Sequence, residues 1–362
     1  MSLTRFGVVG SGWRTRFFLK LAAALPEELA VVGVVARRPE SAERVRREWD
    51  VASYPDVDAL LAAQRPDFMI TSVSWPANPG LVADLVGRGV RVLSETPPAP
   101  DLDGLRALWA RVGGSGMVQV AEQYLMMPGH AARLEVVRRG LIGRPTSVQM
   151  SSTHGYHAVS MIRGLLGIGF EPATVSARRF SAPLLQVIDR GGWTDDPEPK
   201  PAGTTLATLD FGTGGMGLYD FTDNQWHNPL RSRRILVRGT HGELIDDDVL
   251  RLAAPRTLVR SPIIRRQLGY DLDLDGYDTD QLTLDGELLY RNPFGGLRFA
   301  DEEIAIGTLL RRTAAWATDS GPEPYPLAQA CQDHQISLAI DASLAAGVPV
   351  TTTPEPWSLT PP

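Results

Sequence analysis

The chain has 362 residues, 43% of them hydrophobic and 22% charged, and a formal net charge of −6 at pH 7. This composition is typical of a soluble enzyme of about two domains, and the negative charge argues against nucleic acid or an anionic membrane surface as the main partner. The single cysteine, Cys331, excludes a disulfide framework and a cysteine-based zinc site, and no apolar run approaches the roughly 20 residues of a membrane span. We therefore expect a soluble, cytoplasmic protein.

The first third of the chain alternates short apolar strands with helices. Uniformly apolar runs rich in valine are typical of parallel strands that are buried on both faces. The predicted strands lie at 5–9, 29–35, 67–72, 90–93 and 117–121. This alternation predicts a doubly wound parallel sheet over residues 1–121.

The second part of the chain, residues 122–350, is dominated by strands. After a helix at 130–139, the predicted strands are 146–152, 174–181, 204–211, 215–223, 231–238 and 242–246. Residues 189–203 and most of 253–300 are predicted loops, and helices follow from Asp301 and over 328–346. We expect an α+β domain with a large, mostly antiparallel sheet, then a proline-rich tail at 351–362.

A glycine-containing turn joins the first strand to the first helix. Its first glycine permits a tight turn, its second lets the backbone approach a pyrophosphate, and the helix N-terminus supplies amide donors. The third position of the usual fingerprint is Thr15 instead of glycine, and a plain strand-to-helix turn is the alternative. The position at the start of a βαβ unit favours a dinucleotide-binding domain. The candidate contacts are Gly10, Gly12, Trp13, Arg14 and Thr15.

The end of the second strand bears on the choice of cofactor. An acidic residue there would bind the ribose 2′-hydroxyl of NAD, but this chain has Arg37 and Arg38. A guanidinium matches the oxygens of a 2′-phosphate, although both arginines could be solvated loop residues. We predict NADP as the cofactor, with NAD as the alternative.

Motifs spread along the chain carry a family resemblance. They are Ser94-Glu95-Thr96-Pro97, Ala121-Glu122-Gln123-Tyr124, Gly155-Tyr156-His157, Arg238-Gly239-Thr240-His241-Gly242 and Leu344-Ala345-Ala346-Gly347. In this order they resemble the Gfo/Idh/MocA family, dehydrogenases of sugars and cyclitols with an N-terminal Rossmann domain. The resemblance runs from about residue 4 to 350.

The resemblance implies roles for particular residues. Ser72, Ser74 and Asn78 would lie along the cofactor, Glu95 would face the nicotinamide ribose, and Gln123 would lie at the nicotinamide end. His157 would be the catalytic histidine, and an imidazole can accept a hydroxyl proton near neutral pH.

Several residues depart from the family pattern at the positions that carry the chemistry. Thr96 replaces the lysine of the Glu-Lys-Pro motif, and Thr153 replaces the aspartate four residues before the histidine. A threonine donates one hydrogen bond but supplies no charge to a developing alkoxide. Tyr156 is a second candidate for proton transfer, if a cation such as Arg163 or Lys200 lowers its pKa.

The polar segment Tyr219–Asn228 and the second histidine, His154, supply substrate candidates. Read as a strand, this segment places Asp223, Gln225 and His227 on one face, although a strand at a subunit interface is the alternative. The candidate substrate contacts are Thr153, His154, Gln225 and His227. Histidine spacing gives no support for a metal site, so none is predicted.

Together these observations predict an NAD(P)-dependent oxidoreductase that transfers hydride between nicotinamide and a carbinol or carbonyl carbon of a small sugar-like substrate. The neutral residues at Thr96 and Thr153 leave two alternatives open: a non-catalytic sensor of dinucleotide or ligand, and a reductase of an imine-type substrate. The resemblance further implies a homodimer or homotetramer formed through the C-terminal sheet.

Overall fold

The computed structural model describes residues 3–189, 191–269 and 276–359. Its helices are α1 (Trp13–Ala24), α2 (Pro39–Trp49), α3 (Val57–Ala63), α4 (Asn78–Gly87), α5 (Leu102–Val112), α6 (Pro128–Arg138), α7 (Gly155–Leu166), α8 (Asp301–Ala317) and α9 (Leu327–Ala346). Its first ten strands are β1 (Thr4–Val9), β2 (Leu29–Val35), β3 (Ser53–Tyr54), β4 (Phe68–Thr71), β5 (Val92–Ser94), β6 (Val118–Val120), β7 (Pro145–Met150), β8 (Thr174–Leu184), β9 (Ile188–Asp189) and β10 (Gly192–Trp193). The others are β11 (Lys200–Asp210), β12 (Met216–Thr222), β13 (Ile235–Gly239), β14 (Gly242–Ile245), β15 (Asp248–Ala254), β16 (Thr257–Pro262), β17 (Ile264–Leu268), β18 (Asp278–Leu284), β19 (Glu287–Arg291) and β20 (Val350–Thr351).

The N-terminal sheet has six parallel strands in the order β3-β2-β1-β4-β5-β6. Its central strands are buried on both faces, which explains their continuous apolar sequence. Strand order reverses next to β1, so the carboxyl ends of β1 and β4 face a crevice where ligands of such sheets bind. The predicted doubly wound Rossmann sheet is confirmed.

The second sheet has nine strands in the order β16-β15-β14-β13-β7-β12-β11-β8-β20. Its pairs are antiparallel except β7 with β12, so the predicted large, mostly antiparallel sheet is confirmed. Alternate residues such as Val148, Ala207 and Val237 pack in one core with helix α7. On the opposite face, Phe180 of β8 and Leu206 of β11 are exposed.

Two predicted loops contain regular structure. Much of 253–300 was expected to be loop, but β17, β18 and β19 form a separate antiparallel sheet there. Segment 189–203 was also expected to be loop, and it contains β10, which pairs with β9, and the first residues of β11. β10 is short and β16, β17 and β19 are mostly exposed, so they lack the apolar alternation by which strands are predicted, whereas β18 buries the alternating Leu282 and Leu284.

The polar segment Tyr219–Asn228 does not continue as a strand. Strand β12 ends at Thr222, Asn224 has a left-handed backbone with φ 59°, and residues Gln225–His227 form a 3₁₀ helix. The predicted alternation of Asp223, Gln225 and His227 is therefore wrong. Asparagine tolerates this backbone conformation better than most residues, and the turn redirects each side chain that follows.

The C-terminal part of the chain returns to the N-terminal sheet. Helix α8 shares a hydrophobic core with Phe6 and Phe18, and Trp357 near the end of the chain is completely buried. Glu355 accepts hydrogen bonds from Arg106 of α5 at 2.6 and 2.9 Å. At the start of α8, Glu302 accepts a hydrogen bond at 3.2 Å from Arg14, which follows the glycine turn. Within the described residues, no helix has the length and apolar character to cross a membrane.

Candidate active site

The glycine turn after β1 is shaped by close backbone contacts. Gly10 has φ +115°, and a Cβ at this position would lie 2.0 Å from the carbonyl oxygen of Ser72, so a side chain is excluded. Thr15, at the third position of the fingerprint, donates from Oγ1 to the Gly10 carbonyl at 3.0 Å and closes the turn. A Cβ on Gly12 would meet no atom within 4 Å, and the first turn of α1 has no acidic residue. These features fit a dinucleotide diphosphate at the amide groups of the helix N-terminus.

Arginines surround the end of β2. Arg37 and Arg38 are exposed directly after this strand. Arg44 of α2 donates to the carbonyl oxygen of Ser11 in the glycine turn at 3.3 Å. Arg44 is not among the cofactor contacts predicted from the sequence, although its position in the first turns of the second helix is evident from the sequence. Three arginines thus lie between the end of β2 and the glycine turn.

The residues that follow β4 divide into two groups. The Ser72 carbonyl contacts the glycine turn, and Ser74 is exposed at the start of a 3₁₀ helix. Asn78 is buried, and its amide group is used inside the protein: it accepts from Thr71 and donates to Ser94 and the Pro98 carbonyl. The Asn78 side chain thus fastens the ends of β4 and β5 together, and its place along the cofactor stays a prediction.

Arg14 crosses the carboxyl edge of the sheet. It donates to Glu95 at 2.8 Å, to Gln123 at 3.0 Å and to Glu302 of α8 at 3.2 Å. Burial alone would lower the pKa of Arg14, but the carboxylates of Glu95 and Glu302 raise it above its ordinary value. The structure thus brings together Arg14, Glu95 and Gln123, three of the predicted cofactor contacts, at the ends of α1, β5 and β6. Trp13 is exposed beside them and packs edge-on against Phe17.

His157, in the first turn of α7, meets a buried carboxylate. Its Nδ1 lies 2.6 Å from Oε2 of Glu122, whose side chain has no exposed area, and the other carboxylate oxygen accepts from the backbone N–H of Tyr124 at 2.9 Å. The ring of Tyr124 stacks on His157 with centroids 4.4 Å apart. Because a carboxylate only accepts hydrogen bonds, Nδ1 carries the proton and Nε2 is left to exchange one.

Glu122 lies within one of the family motifs, but the sequence indicated no role for it. The available signal was its position, since an acidic residue follows the last strand of a parallel sheet, at the edge where ligands bind. Glu302 gave no comparable signal, because it lies 288 residues from Arg14.

Tyr156 points away from the cleft. It is buried in the core that contains Tyr325 and Cys331, and burial raises the pKa of its hydroxyl well above the ordinary value. Arg163, proposed as the cation that would activate it, is paired with Asp333. The prediction of Tyr156 as a proton donor is therefore wrong, since a buried phenol with a raised pKa cannot reach a substrate at His157.

Thr96, Thr153 and His154 complete the surroundings of His157. Thr96 is half-buried next to Glu95, and Thr153 is buried where its side chain interacts with the hydroxyl of Tyr124. The His154 ring is 5.5 Å from His157, and desolvation together with His157 lowers the pKa of His154 to about 4. These two histidines are therefore adjacent, with His154 at the exposed end.

Gln225 and His227, the other two predicted substrate contacts, lie in different surroundings. Gln225 is buried and binds the backbone at Ser151, Thr222 and Ser232, so its predicted role as a substrate contact is wrong. His227 lines a cavity of about 490 Å³ beside Trp226, and the Trp226 ring lies 4.7 Å from His154. Lys200 lines the same cavity, exposed and paired with Asp196 at 2.6 Å.

The N-terminal part of the chain matches a known family. Residues 4–122 match the Gfo/Idh/MocA family model, described as an oxidoreductase family with an NAD-binding Rossmann fold. No curated protein matches the chain.

Solved structures resemble the chain over nearly its whole length. An oxidoreductase from Agrobacterium radiobacter, in complex with NAD⁺, L-tartaric acid and magnesium, is 16% identical with a TM-score of 0.70, over 97% of this chain and 98% of that one. A myo-inositol dehydrogenase from Corynebacterium glutamicum is 16% identical with a TM-score of 0.67, over 97% and 99%. Levoglucosan dehydrogenase, in complex with NADH and levoglucosan, is 16% identical with a TM-score of 0.68, over 96% and 99%. At these identities the likeness establishes the shared fold. Residues 4–122 thus match the Gfo/Idh/MocA oxidoreductase family, whose model describes an NAD-binding Rossmann fold, and the resemblance noted in the sequence is confirmed over these residues.

Proposed function

We propose that this protein is an NAD(P)-dependent oxidoreductase that moves hydride between nicotinamide and a carbinol or carbonyl carbon of a small sugar-like substrate. The observation that carries the proposal is the pair formed by His157 and the buried Glu122, beside the carboxyl ends of β5 and β6. The glycine turn that fits a diphosphate lies at the same edge of the sheet. The proposed proton-transfer pair and the glycine turn therefore lie at the same edge of the sheet, as this function requires.

The nicotinamide cofactor, when bound, accepts or donates the hydride. Glu122 holds the proton on Nδ1 of His157 and fixes the ring, so that Nε2 can take the proton from a substrate hydroxyl during oxidation and return it during reduction. The ring of Tyr124 covers one face of His157 and reduces its freedom to rotate. Thr96 can donate a hydrogen bond to the substrate oxygen but supplies no charge.

The test replaces His157 by alanine and measures two properties separately. Binding of NADPH and NADH, followed by nicotinamide fluorescence, should be retained, because the glycine turn is unchanged. Turnover with a panel of polyols, sugars and their oxidised forms should fall by about 10²-fold or more, the usual contribution of a general acid or base. The matched control is His241→Ala, an exposed histidine in the β13–β14 turn.

Two outcomes would refute parts of the proposal. Full turnover in His157→Ala would remove this residue from the mechanism. Failure of the unaltered protein to bind either dinucleotide would remove the oxidoreductase function itself.

A sensor of dinucleotide or ligand is the second candidate. The observation that favours it is the pair of hydroxyls, Thr96 and Thr153, at positions where the family resemblance implies charged groups. Tight cofactor binding without turnover on any substrate of the panel would support the sensor, and measurable turnover would exclude it. An imine-type substrate is tested by adding cyclic imines to the same panel.

Two finer properties belong to the same proposal. The exposed Arg37 and Arg38, together with Arg44 nearby, support a preference for NADP over NAD through the 2′-phosphate. The open face of the nine-stranded sheet, with Phe180 and Leu206 exposed, supports pairing with a second copy of the chain.

A further inference from the structure

Basic side chains from three separate segments converge beside Tyr124. His130 and Arg133 belong to α6, Arg265 to β17, and Arg233 to the segment before β13. Arg133 Nη1 lies 3.4 Å from His130 Nδ1. A Cβ on Gly129 would lie 3.2 Å from Arg133 Nη1 and 3.4 Å from Arg265 Nη2, so both guanidinium groups approach the same point on the helix. We call His130, Arg133, Arg233 and Arg265 the basic cluster.

The basic cluster is connected to the cleft at His157 on two sides. On one side, the His130 ring lies 6.3 Å from the ring of Tyr124, which stacks on His157. On the other side, Arg233 donates to the backbone carbonyl of Trp226 at 2.9 Å, and the Trp226 ring lies against His154. One aromatic residue on each side, Tyr124 or Trp226, thus separates the cluster from His157 and His154.

The arginines of the cluster differ in their ion pairs. Arg133 pairs with Asp247 at 2.8 Å and is also attracted to the carboxylate of Asp246, and Arg265 pairs with Asp301 at 2.8 Å. Among the described residues, no carboxylate oxygen lies within the 4.0 Å ion-pair distance of Arg233. Burial together with Arg133, Arg233 and Arg265 lowers the pKa of His130 to about 3, so this ring is neutral. Within the part of the chain that the structure describes, Arg233 thus has no ion pair of its own, in a protein whose net charge is −6.

We infer, on the basis of the function proposed above, that the basic cluster binds an anionic group of the substrate, a carboxylate or a phosphate, while the reacting carbon lies at His157. Guanidinium groups match the oxygens of both anions in paired hydrogen bonds, which an ammonium group does not. An anion near Arg233 would gain a charge-assisted hydrogen bond without displacing an existing ion pair. The sugar-like substrate is thereby narrowed to a sugar acid or a sugar phosphate.

The test measures equilibrium binding by isothermal titration calorimetry at constant ionic strength, with and without NADP⁺. The probes are D-gluconate, D-glucose 6-phosphate and the neutral D-glucose. We expect at least one anion to bind about tenfold or more tightly than glucose, and its affinity to fall as salt is added. The anion that binds more tightly distinguishes a carboxylate from a phosphate.

Matched variants localise the effect. Arg233→Gln should weaken anion binding by about tenfold or more, the value of one charge-assisted hydrogen bond, while Arg233→Lys should retain part of it. Arg65→Gln removes the same charge from an exposed position just before β4, at the opposite end of this strand from the cleft, and should change nothing. The exposed Arg233 binds a main-chain carbonyl, so its replacement should leave the thermal midpoint of unfolding nearly unchanged.

Three results would overturn the inference: glucose binding as tightly as both anions, neither anion binding at millimolar concentration, or equal anion affinity in Arg233→Gln and the unaltered protein. Because no turnover is measured, the outcome is independent of hydride transfer. Loss of anion selectivity together with His157-dependent turnover would leave the proposed function standing. Anion binding without turnover would support the basic cluster as an anion site and contradict the proposed oxidoreductase function.

Discussion

Replacing Glu122 by glutamine tests the arrangement of the active site most directly. The two oxygens of this buried carboxylate accept from two donors: the backbone N–H of Tyr124 at 2.9 Å, and Nδ1 of His157 at 2.6 Å. A glutamine has nearly the same shape but offers one carbonyl oxygen and one NH₂ group. One of the two donors then faces another N–H group, or His157 adopts its other tautomer.

The magnitude follows from this loss. Leaving a buried donor unsatisfied costs about 1–3 kcal/mol, which corresponds to a factor of about 5 to 150 in a rate or an equilibrium constant. We expect turnover to fall within that range, because Nε2 of His157 is no longer held as the proton acceptor. Cofactor binding should persist, since Glu122 is fully buried and the glycine turn does not involve it.

The assay combines turnover with a reading of the tautomer. Nitrogen NMR of the imidazole, assigned by comparison with His157→Ala, should show the proton on Nδ1 in the unaltered protein and a changed signal in Glu122→Gln. The matched control is Glu355→Gln, which removes another buried carboxylate, one that binds Arg106 instead. Unchanged turnover and an unchanged His157 signal in Glu122→Gln would refute the reasoning. Equal losses of turnover in Glu122→Gln and Glu355→Gln would show that the effect is a general loss of stability.

Three further changes test other parts of the structure. Replacing Arg37 and Arg38 by glutamine should weaken NADPH binding by about tenfold and leave NADH binding unchanged, and equal losses for the two in a fluorescence titration would argue against a 2′-phosphate contact. The pKa of His130 is lowered to about 3, so the unfolded chain binds this proton more readily and the free energy of unfolding falls as pH drops from about 6.5 towards 3. His130→Asn should lose less stability than the unaltered protein over this interval, and parallel losses in urea unfolding would contradict it. Leu206→Asp, beside Phe180 on the open sheet face, should turn a dimer into a monomer in light scattering after gel filtration, whereas a monomeric unaltered protein would contradict the pairing.

The sequence determined the parts of this protein that depend on local patterns. The apolar runs of the first 121 residues sufficed for the parallel sheet, because a strand buried on both faces must be apolar at every position. Gly10 and Gly12 marked the dinucleotide turn, since the first tolerates no side chain and the second faces open space. His157 in the first turn of a helix was also readable, through the family motif that contains it.

Tertiary structure decided what depends on distant residues or on side-chain direction. The pairing of His157 with Glu122 joins positions 35 residues apart, and Arg14 reaches Glu302 across 288 residues. Strands β16, β17 and β19 escaped prediction because they are largely exposed and depend on pairing with neighbouring strands, whereas β18 adds Leu282 and Leu284 to the core of the second domain.

Side-chain direction separated residues that looked equivalent in the sequence. Tyr156 and His157 are neighbours, yet 100° of rotation per helical residue sends one into the core and the other to the cleft. A single left-handed residue, Asn224, ended a strand and turned Gln225 into the interior. Sequence patterns report the average environment of a segment, whereas a catalytic site depends on which few side chains meet, and that is decided only when the whole chain packs.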